Sequence, residues 1–522
     1  MTIQLKEHKG TINQQKEHMR NQLRNHHHFY DTYLKRLDSI GPLFRRLLIL
    51  SLSLVFSGCM VGSNYKAPKN DVSDKWQEKD ANRDSLFSKN APLEEWWKAF
   101  EDQLLDKYIS LAFKYNKDIL TTEANILQAR ALRQVAASKL FPYINADVNA
   151  GRQRFSKNGL LLGIAPSGSA SSINLFNALF DASWEIDLFG KTRRQVEAAT
   201  AQVSSMIETR NDMLISVTAE VARNYMEVRS YQKKADLIEE NIRLLEENAA
   251  VIQQSVDDGY KNQLNLENIK AELAAARSQL PDAVAKIYRG IYALSFLIGE
   301  VPEALLNEML KPQKTLPKLP YEVAIGVRSD LLRRRPDIRR AERELAAATA
   351  DIGVAVASFF PTFTLSADLG LQALKIAQLF RAASKTWELG GDMNAPIFEG
   401  GRLMGNWKAS KAAASATMYT YQKIVLNALQ EAEGSLVSYR EDLKALKDLK
   451  EKAQRNQRLV ALTTERHDKG LVDVIELINS RRELVSAEES VLGSNTTTLL
   501  DLISLYKALG GGWEAFKPLA DF

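Results

Sequence analysis

The chain has 522 residues, 45% hydrophobic and 25% charged, which excludes a disordered polymer and leaves room for one large core or two ordinary ones. Its net charge of +5 sits entirely in the leader, where residues 1 to 58 carry nine Lys/Arg and four Asp/Glu (9 − 4 = +5); the remainder is neutral (5 − 5 = 0) and gives no basic footprint for nucleic acid. The lone Cys59 excludes an internal disulfide, and only His467 of six histidines lies beyond it, so no metal site and no cofactor are expected; enzymatic activity is not expected either, although paired carboxylates leave an envelope enzyme as the remotest alternative.

Arg45 and Arg46 precede the apolar run Leu47 to Phe56, then Ser57, Gly58 and Cys59. A basic flank, a short apolar stretch and small residues before a cleavage point make a secretory signal, too short to remain as a bilayer span. Residues 1 to 58 are therefore leader, with 1–40 read as an over-called start. A cysteine directly after such a pair resembles the lipobox of bacterial lipoproteins, whose thiol is acylated, although Phe56 stands where leucine is usual. An ordinary signal peptide with an incidental cysteine is the alternative. By the same resemblance, Met60 at the next position favours the outer membrane, and 59–100 becomes a lipidated N-terminal segment.

Two stretches then repeat. Phe141-Pro142 is followed by Tyr143 to Gly151, and Phe360-Pro361 by Thr362 to Gly370, an offset of 219 (360 − 141). Phe189-Gly190 pairs with Phe398-Glu399-Gly400 at 209 (398 − 189), and Gly259 with Gly470 at 211 (470 − 259). Landmarks in register mean a duplication, with halves at 101–300 and 331–510, a linker at 301–330 and a tail at 511–522.

Each half predicts two strands, about 142–155 and 176–188 in the first and about 361–372 and 386–398 in the second. Ile144, Ala146, Val148 and Ala150 alternate with Asn145, Asp147 and Asn149; Phe180, Ala182, Trp184 and Ile186 alternate with Asp181, Ser183, Glu185 and Asp187. In the second half Phe363, Leu365, Ala367 and Leu369 oppose Thr364, Ser366 and Asp368, and Trp387, Leu389, Met393 and Ile397 oppose Glu388 and Asp392. One apolar and one wet face over ten or so residues suits an outer-membrane strand. Asp147, Asp181, Glu185, Asp187, Asp368, Glu388 and Asp392 are the candidate lumen residues. Four strands cannot close a barrel, and an open edge is not tolerated in lipid, so subunits must pool their strands. Three copies would give twelve.

Between the second strand and the turn glycine, each half predicts one very long helix, from Lys191 to about Asp257 and from Leu403 to about Asp468, the latter interrupted at Gly405 and Gly434. Glycine turns at Gly259 and Gly470 lead into returning helices, with spacing that favours antiparallel coiled-coil packing.

The run Leu332-Arg333-Arg334-Arg335-Pro336-Asp337-Ile338, with Ala341-Glu342 and Gly353-Val354-Ala355 leading into Phe360-Pro361, resembles the signature of the outer membrane factor family, the TolC-like group. Trp96-Trp97-Lys98-Ala99-Phe100 is similar to a further stretch of that family, and Val61 to Pro68 resembles its lipoprotein branch, which serves resistance-nodulation-division efflux pumps. The resemblance implies a mainly α fold with a membrane β-barrel, a homotrimer of duplicated β-β-long-helix-hairpin units forming a 12-strand barrel and a 12-helix tunnel. It further implies a periplasmic adaptor protein gripping the tips near Gly259 and Gly470, an inner-membrane pump, and outer membrane lipid around the barrel. In the family an acidic residue nine places after the second turn glycine closes the periplasmic mouth. Here that place holds Asn479, its first-half equivalent is Asn268, and Glu476 is the nearest carboxylate. The expected function is a passive exit duct for drugs or other small molecules. A duct for metal efflux or type I protein secretion is the alternative, and an exported coiled-coil scaffold without a pore a remote one.

Overall fold

The computed structural model describes residues 60–69, 72–77, 87–88, 93–156, 172–311, 316–320 and 322–516. The leader, Cys59 and the last six residues of the tail lie outside them. The described chain falls into two compact units, one drawing on residues 144–191 and 360–395, the other on 62–143, 192–359 and 396–522. These units cut across the duplicated halves. The halves record how the sequence was doubled, whereas compactness follows strand pairing and helix packing, and both join one half to the other.

The first unit is a four-stranded sheet of β2 (Tyr143–Arg154), β3 (Ser172–Ile186), β5 (Thr362–Ala373) and β6 (Lys385–Asn394), in the spatial order β2-β3-β5-β6. β3 begins four residues before the alternation becomes legible, and β6 ends at Asn394, which leaves Ile397 and Phe398 outside the ladder. Pro396 cannot donate to a ladder, and its presence fits that early end. The β3–β5 and β5–β6 pairs are antiparallel. Asn145 Nδ2 donates to Asp181 Oδ2 at 3.2 Å and Asn177 Nδ2 to Asn149 Oδ1 at 3.0 Å; as β2 advances its partner retreats, so this pair is antiparallel too. Gly370 sits where a Cβ would come within 2.2 Å of the Ala178 carbonyl oxygen, so side-chain size is restricted at the seam joining the halves.

The second unit is helical. It contains α1 (Gln103–Tyr115), α2 (Lys117–Ser138), α3 (Lys191–Asp257, whose first residue belongs to the sheet unit), α4 (Gln263–Leu297), α5 (Pro336–Ala357), α6 (Arg402–Asp468) and α7 (Val474–Ala508). The two-residue strands β1 (Phe87–Ser88) and β4 (Val323–Ala324) pair in parallel. The duplication is metrically strict here. α3 and α6 have 67 residues each and are displaced by 211 at both ends (402 − 191 and 468 − 257); α4 and α7 have 35 each at the same displacement (474 − 263). At 1.5 Å per residue the long helices span roughly 100 Å.

Gly405 and Gly434 do not interrupt α6. Nothing lies within 4 Å of a Cβ built at either, so the surrounding helix carries the intrinsic cost of about 1 kcal/mol each. Pro336 opens α5 at the first helical position, where its missing N–H has no partner to lose.

Neighbouring helices are fixed by their contacts. α3 and α4 form a hairpin through Leu245, Ile252, Leu266, Ile269 and Ala276. α3 meets α7 through Leu237 and Leu244 against Ile478, Val485 and Leu492. α6 returns into α7, where Asn456 Nδ2 reaches the Glu483 carbonyl oxygen at 3.1 Å. Above these, α2 holds α3 through Glu123–Arg210 at 2.9 Å, and α5 packs on α6 through Ile338, Ala341, Tyr421, Val425 and Ala428. The lateral order is therefore α4, α3, α7, α6. The main core gathers Trp96, Trp97, Phe100, Tyr108, Tyr225, Met309, Tyr439 and Tyr506 with the apolar residues around them.

No helix among the described residues is long and apolar enough to cross a membrane, which says nothing about the strands.

Candidate conduit wall and periplasmic tip

Pairing register decides what the sheet's two faces carry. Asp181 lies opposite Asp368, and Asp368 opposite Glu388, so three carboxylates from three strands form one row. Two residues along, Ser183, Ser366 and Gly390 align, and beyond them Glu185, Thr364 and Asp392. Asn145, hydrogen-bonded to Asp181, places the polar side of β2 on this face, and Asp147 follows it with the same parity. Asp187 falls one residue beyond the end of β3. Of the seven carboxylates expected on one wall, six lie in strands and one lies at the exit from β3.

The opposite face is apolar in the same rows: Phe180, Leu369 and Trp387; Ala182, Ala367 and Leu389; Ile186, Phe363 and Met393. This face is uncovered. Val148 is 81% exposed, Trp387 76% and Leu389 74%. A water-facing sheet would pair such a surface with a second layer. Among the described residues, the outer edges of β2 and β6 have no strand neighbour in the sheet.

The helical tips share one turn geometry. Tyr260 N–H donates to the Ser255 carbonyl oxygen at 2.8 Å, and Leu471 N–H to that of Arg466 at 2.9 Å; Gly259 (φ +82°) and Gly470 (φ +67°) take the left-handed conformation between them. The return differs. Asn262 caps α4 by accepting from Asn265 N–H at 3.1 Å, whereas Asp473 makes no side-chain cap. Asn268, Asn479 and Glu476 are all exposed at these tips, and the structure brings Glu476 within 3.8 Å of Arg466. Sequence reasoning missed Arg466, and also the 2.7 Å pair of Arg482 with Glu272, which ties the second hairpin to the first. The first pair faces across the turn and the second joins residues 210 apart, and neither leaves a periodic signal.

The Arg-Arg-Arg-Pro-Asp-Ile run acquires a structural meaning. Arg335, almost fully buried, donates from Nη1 to the Ala508 carbonyl oxygen at 2.8 Å, from Nε and Nη2 to Asp337, and from Nη2 to Glu431 at 2.8 Å. It ties α5, α6 and the end of α7 together. Beside it a cavity of about 320 Å³ is lined by Asp212, Asp337, Glu431 and Lys507. A second groove of about 320 Å³ between α3 and α7 holds Glu220, Arg223, Asp501 and Lys507. Burial, reinforced by the carboxylate of Asp442, pushes the Asp501 carboxyl up to about 6. Burial likewise raises Glu208 and Asp212. No three potential metal ligands converge among the described residues.

A sheet with one uncovered apolar face and one acidic face, joined in sequence to antiparallel helical hairpins whose longer arm spans about 100 Å, defines the TolC-like class of outer membrane channel folds. Comparison with known proteins agrees: residues 108–300 and 327–511 match the outer membrane efflux protein family, and the chain belongs to it. The toluene efflux pump outer membrane protein TtgF of Pseudomonas putida is 30% identical over 479 residues, 90% of this chain and 97% of that protein. The pyoverdine export outer membrane protein OpmQ of Pseudomonas aeruginosa is 30% identical over 423 residues, 81% and 88%. Among solved structures, the outer-membrane channel OprN superposes with a TM-score of 0.79 at 28% identity, covering 87% of this chain and all of that one.

Proposed function

We propose that this protein is the outer membrane channel of a tripartite efflux system, a passive exit duct assembled from three copies. Their sheets pool into one 12-strand barrel, with the open edge of β6 pairing with that of β2 on the next copy, because an unpaired edge costs several kcal/mol per backbone group in lipid. Their hairpins pool into a 12-helix periplasmic tunnel. The observation that carries this reading is the sheet's exposed apolar face opposite a row of carboxylates. Lipid covers the first and a water-filled lumen the second.

The duct has no chemistry of its own. An inner-membrane pump of the resistance-nodulation-division type supplies the energy, and a periplasmic adaptor grips the tips near Gly259 and Gly470. Small organic molecules are the cargo, in keeping with the toluene and pyoverdine roles of the relatives. Deletion of the gene should raise susceptibility to organic solvents, dyes and antibiotics by several-fold while leaving metal tolerance alone. A strain hypersensitive only to metals would contradict the cargo assignment.

Cys59 is the anchor of this proposal. Met60 packs against Gly190 and Val61 N–H reaches the Phe189 carbonyl oxygen at 3.2 Å, so the chain is held immediately after the acylation point. Acyl chains contribute about 0.8 kcal/mol per buried methylene. Cys59→Ser should abolish incorporation of a fatty-acid probe; retained label would remove the anchor.

Periplasmic closure is assigned to the second hairpin. Asn479 stands where the family carries an acidic residue and Asn268 is its first-half counterpart, so Glu476 is left to supply the acidic ring about the three-fold axis.

A further inference from the structure

The sheet sorts its charges completely between its two faces. All the carboxylates of the four strands lie on the wet face, with Asp181, Asp368 and Glu388 in one row. The strands contain three cations, and all three fall on the apolar face. Alternation puts Arg152 and Arg154 of β2 on the side of Ile144 and Val148, and register sets Lys385 of β6 opposite Leu371, two residues before Trp387 on that side. All three are exposed.

The cations also gather at one end. Helices join the sheet at the starts of β2 and β5 and at the ends of β3 and β6, so Arg152, Arg154 and Lys385 lie at the opposite, far end. At the helix end the same face carries Ile144, Ile186, Phe363 and Met393 and no charge. The turn from β5 to β6 continues the pattern at the far end. It adds Lys375 and Arg381, both exposed, and no carboxylate occurs between Asp368 and Glu388. This turn is built rather than slack: Ser384 Oγ donates to the Gln378 carbonyl oxygen at 2.7 Å, and Leu379 is buried while Phe380, next to Arg381, is 83% exposed.

Long cationic side chains at the rim of an apolar band reach any polar headgroup, a role that either rim could serve. Cations confined to one rim answer negative charge confined to one leaflet. We propose that this far rim is a docking surface for a lipid whose headgroup carries phosphate, the phosphorylated glycolipid of an outer leaflet. Its acyl chains lie on the apolar rows that contain Val148, Leu371 and Trp387, and its phosphates meet Arg152, Arg154 and Lys385 through charge-assisted hydrogen bonds. The inference rests on the barrel reading above, in which the helices stand in the periplasm and the far rim reaches the outer leaflet. There β6 of one copy follows β2 of the next, so Lys385 and the two arginines of its neighbour face the same stretch of lipid.

Native mass spectrometry of the detergent-extracted protein tests this with phosphorylated lipid A as the probe, beside its dephosphorylated form and inorganic phosphate. The unsubstituted trimer should retain the phosphorylated lipid about tenfold or more in preference to the dephosphorylated one. Replacing Arg152, Arg154 and Lys385 together by Gln should abolish that preference, while Arg152→Lys with Arg154→Lys should keep it. Replacing Lys447, Lys450 and Arg458 of α6 together by Gln should leave it unchanged. Equal retention of the two lipids by the unsubstituted trimer overturns the inference, as does a rim variant that is still trimeric and keeps the preference. An equal loss from the α6 substitutions also overturns it, and so does inorganic phosphate that displaces the lipid at equal concentration, which would mark a free-anion site. A monomer that gives no single-channel current removes the barrel reading itself, whereas a conducting trimer without lipid preference removes only the docking surface.

Discussion

At the residue scale, two carboxylates carry separate tests. Glu476 is exposed and its ion pair with Arg466 spans 3.8 Å, so the pair itself adds little stability. Three copies about one axis would make a ring that binds multivalent cations. Glu476→Gln should therefore weaken cation blockade of single-channel current about tenfold or more, and unchanged blockade would dismiss the gate. Asp501 acts on stability instead. Its carboxyl is raised from its ordinary 3.8 to about 6, so the folded state holds a proton more tightly than the unfolded chain. The resulting penalty is full above about pH 6 and is lost as pH falls towards 3.8. Asp501→Asn should raise the thermal midpoint at about pH 7.5, with the gain fading between about pH 6 and 4; a gain that is constant with pH would refute the linkage.

At the scale of elements, the sheet and the hairpins were legible to different depths. Strict alternation of period two over residues 143–150 and through Thr362–Ala373 marks both strands, because the two solvents on the two faces leave a direct imprint. The second strands were placed less well. β3 begins at Ser172, just ahead of an Ile-Asn-Leu-Phe-Asn run whose period is blurred, and β6 contains Gly391, which interrupts its apolar face. The long helices were legible from their lack of proline, but Gly405 and Gly434 suggested breaks that the helix does not make. The sheet carries its own prediction. With Asp181, Asp368 and Glu388 in one row on the wet face, reconstituted channels should select cations over anions in planar bilayers. Asp368→Lys should reduce that preference, and anion selectivity in the unsubstituted channel would reverse the assignment of faces.

At the scale of the whole molecule, the sequence by itself determined the doubling, the two faces of each strand and the length of the helices. All of these are local, since periodicity and spacing are written along the chain and need no partner to be read. Tertiary structure alone decided that β3 of one half pairs with β5 of the other, which brings Asp181, Asp368 and Glu388 together. It alone decided that Arg335 of the Arg-Pro-Asp run closes on the carbonyl of Ala508, and that α3 lies against α7 while α4 and α6 are left at the edges. The physical reason is that the choice of partner depends on competing long-range contacts, each helix or strand having several neighbours compatible with its own pattern. An amphipathic face announces that it will be covered, and only the packed chain shows which faces it has covered itself.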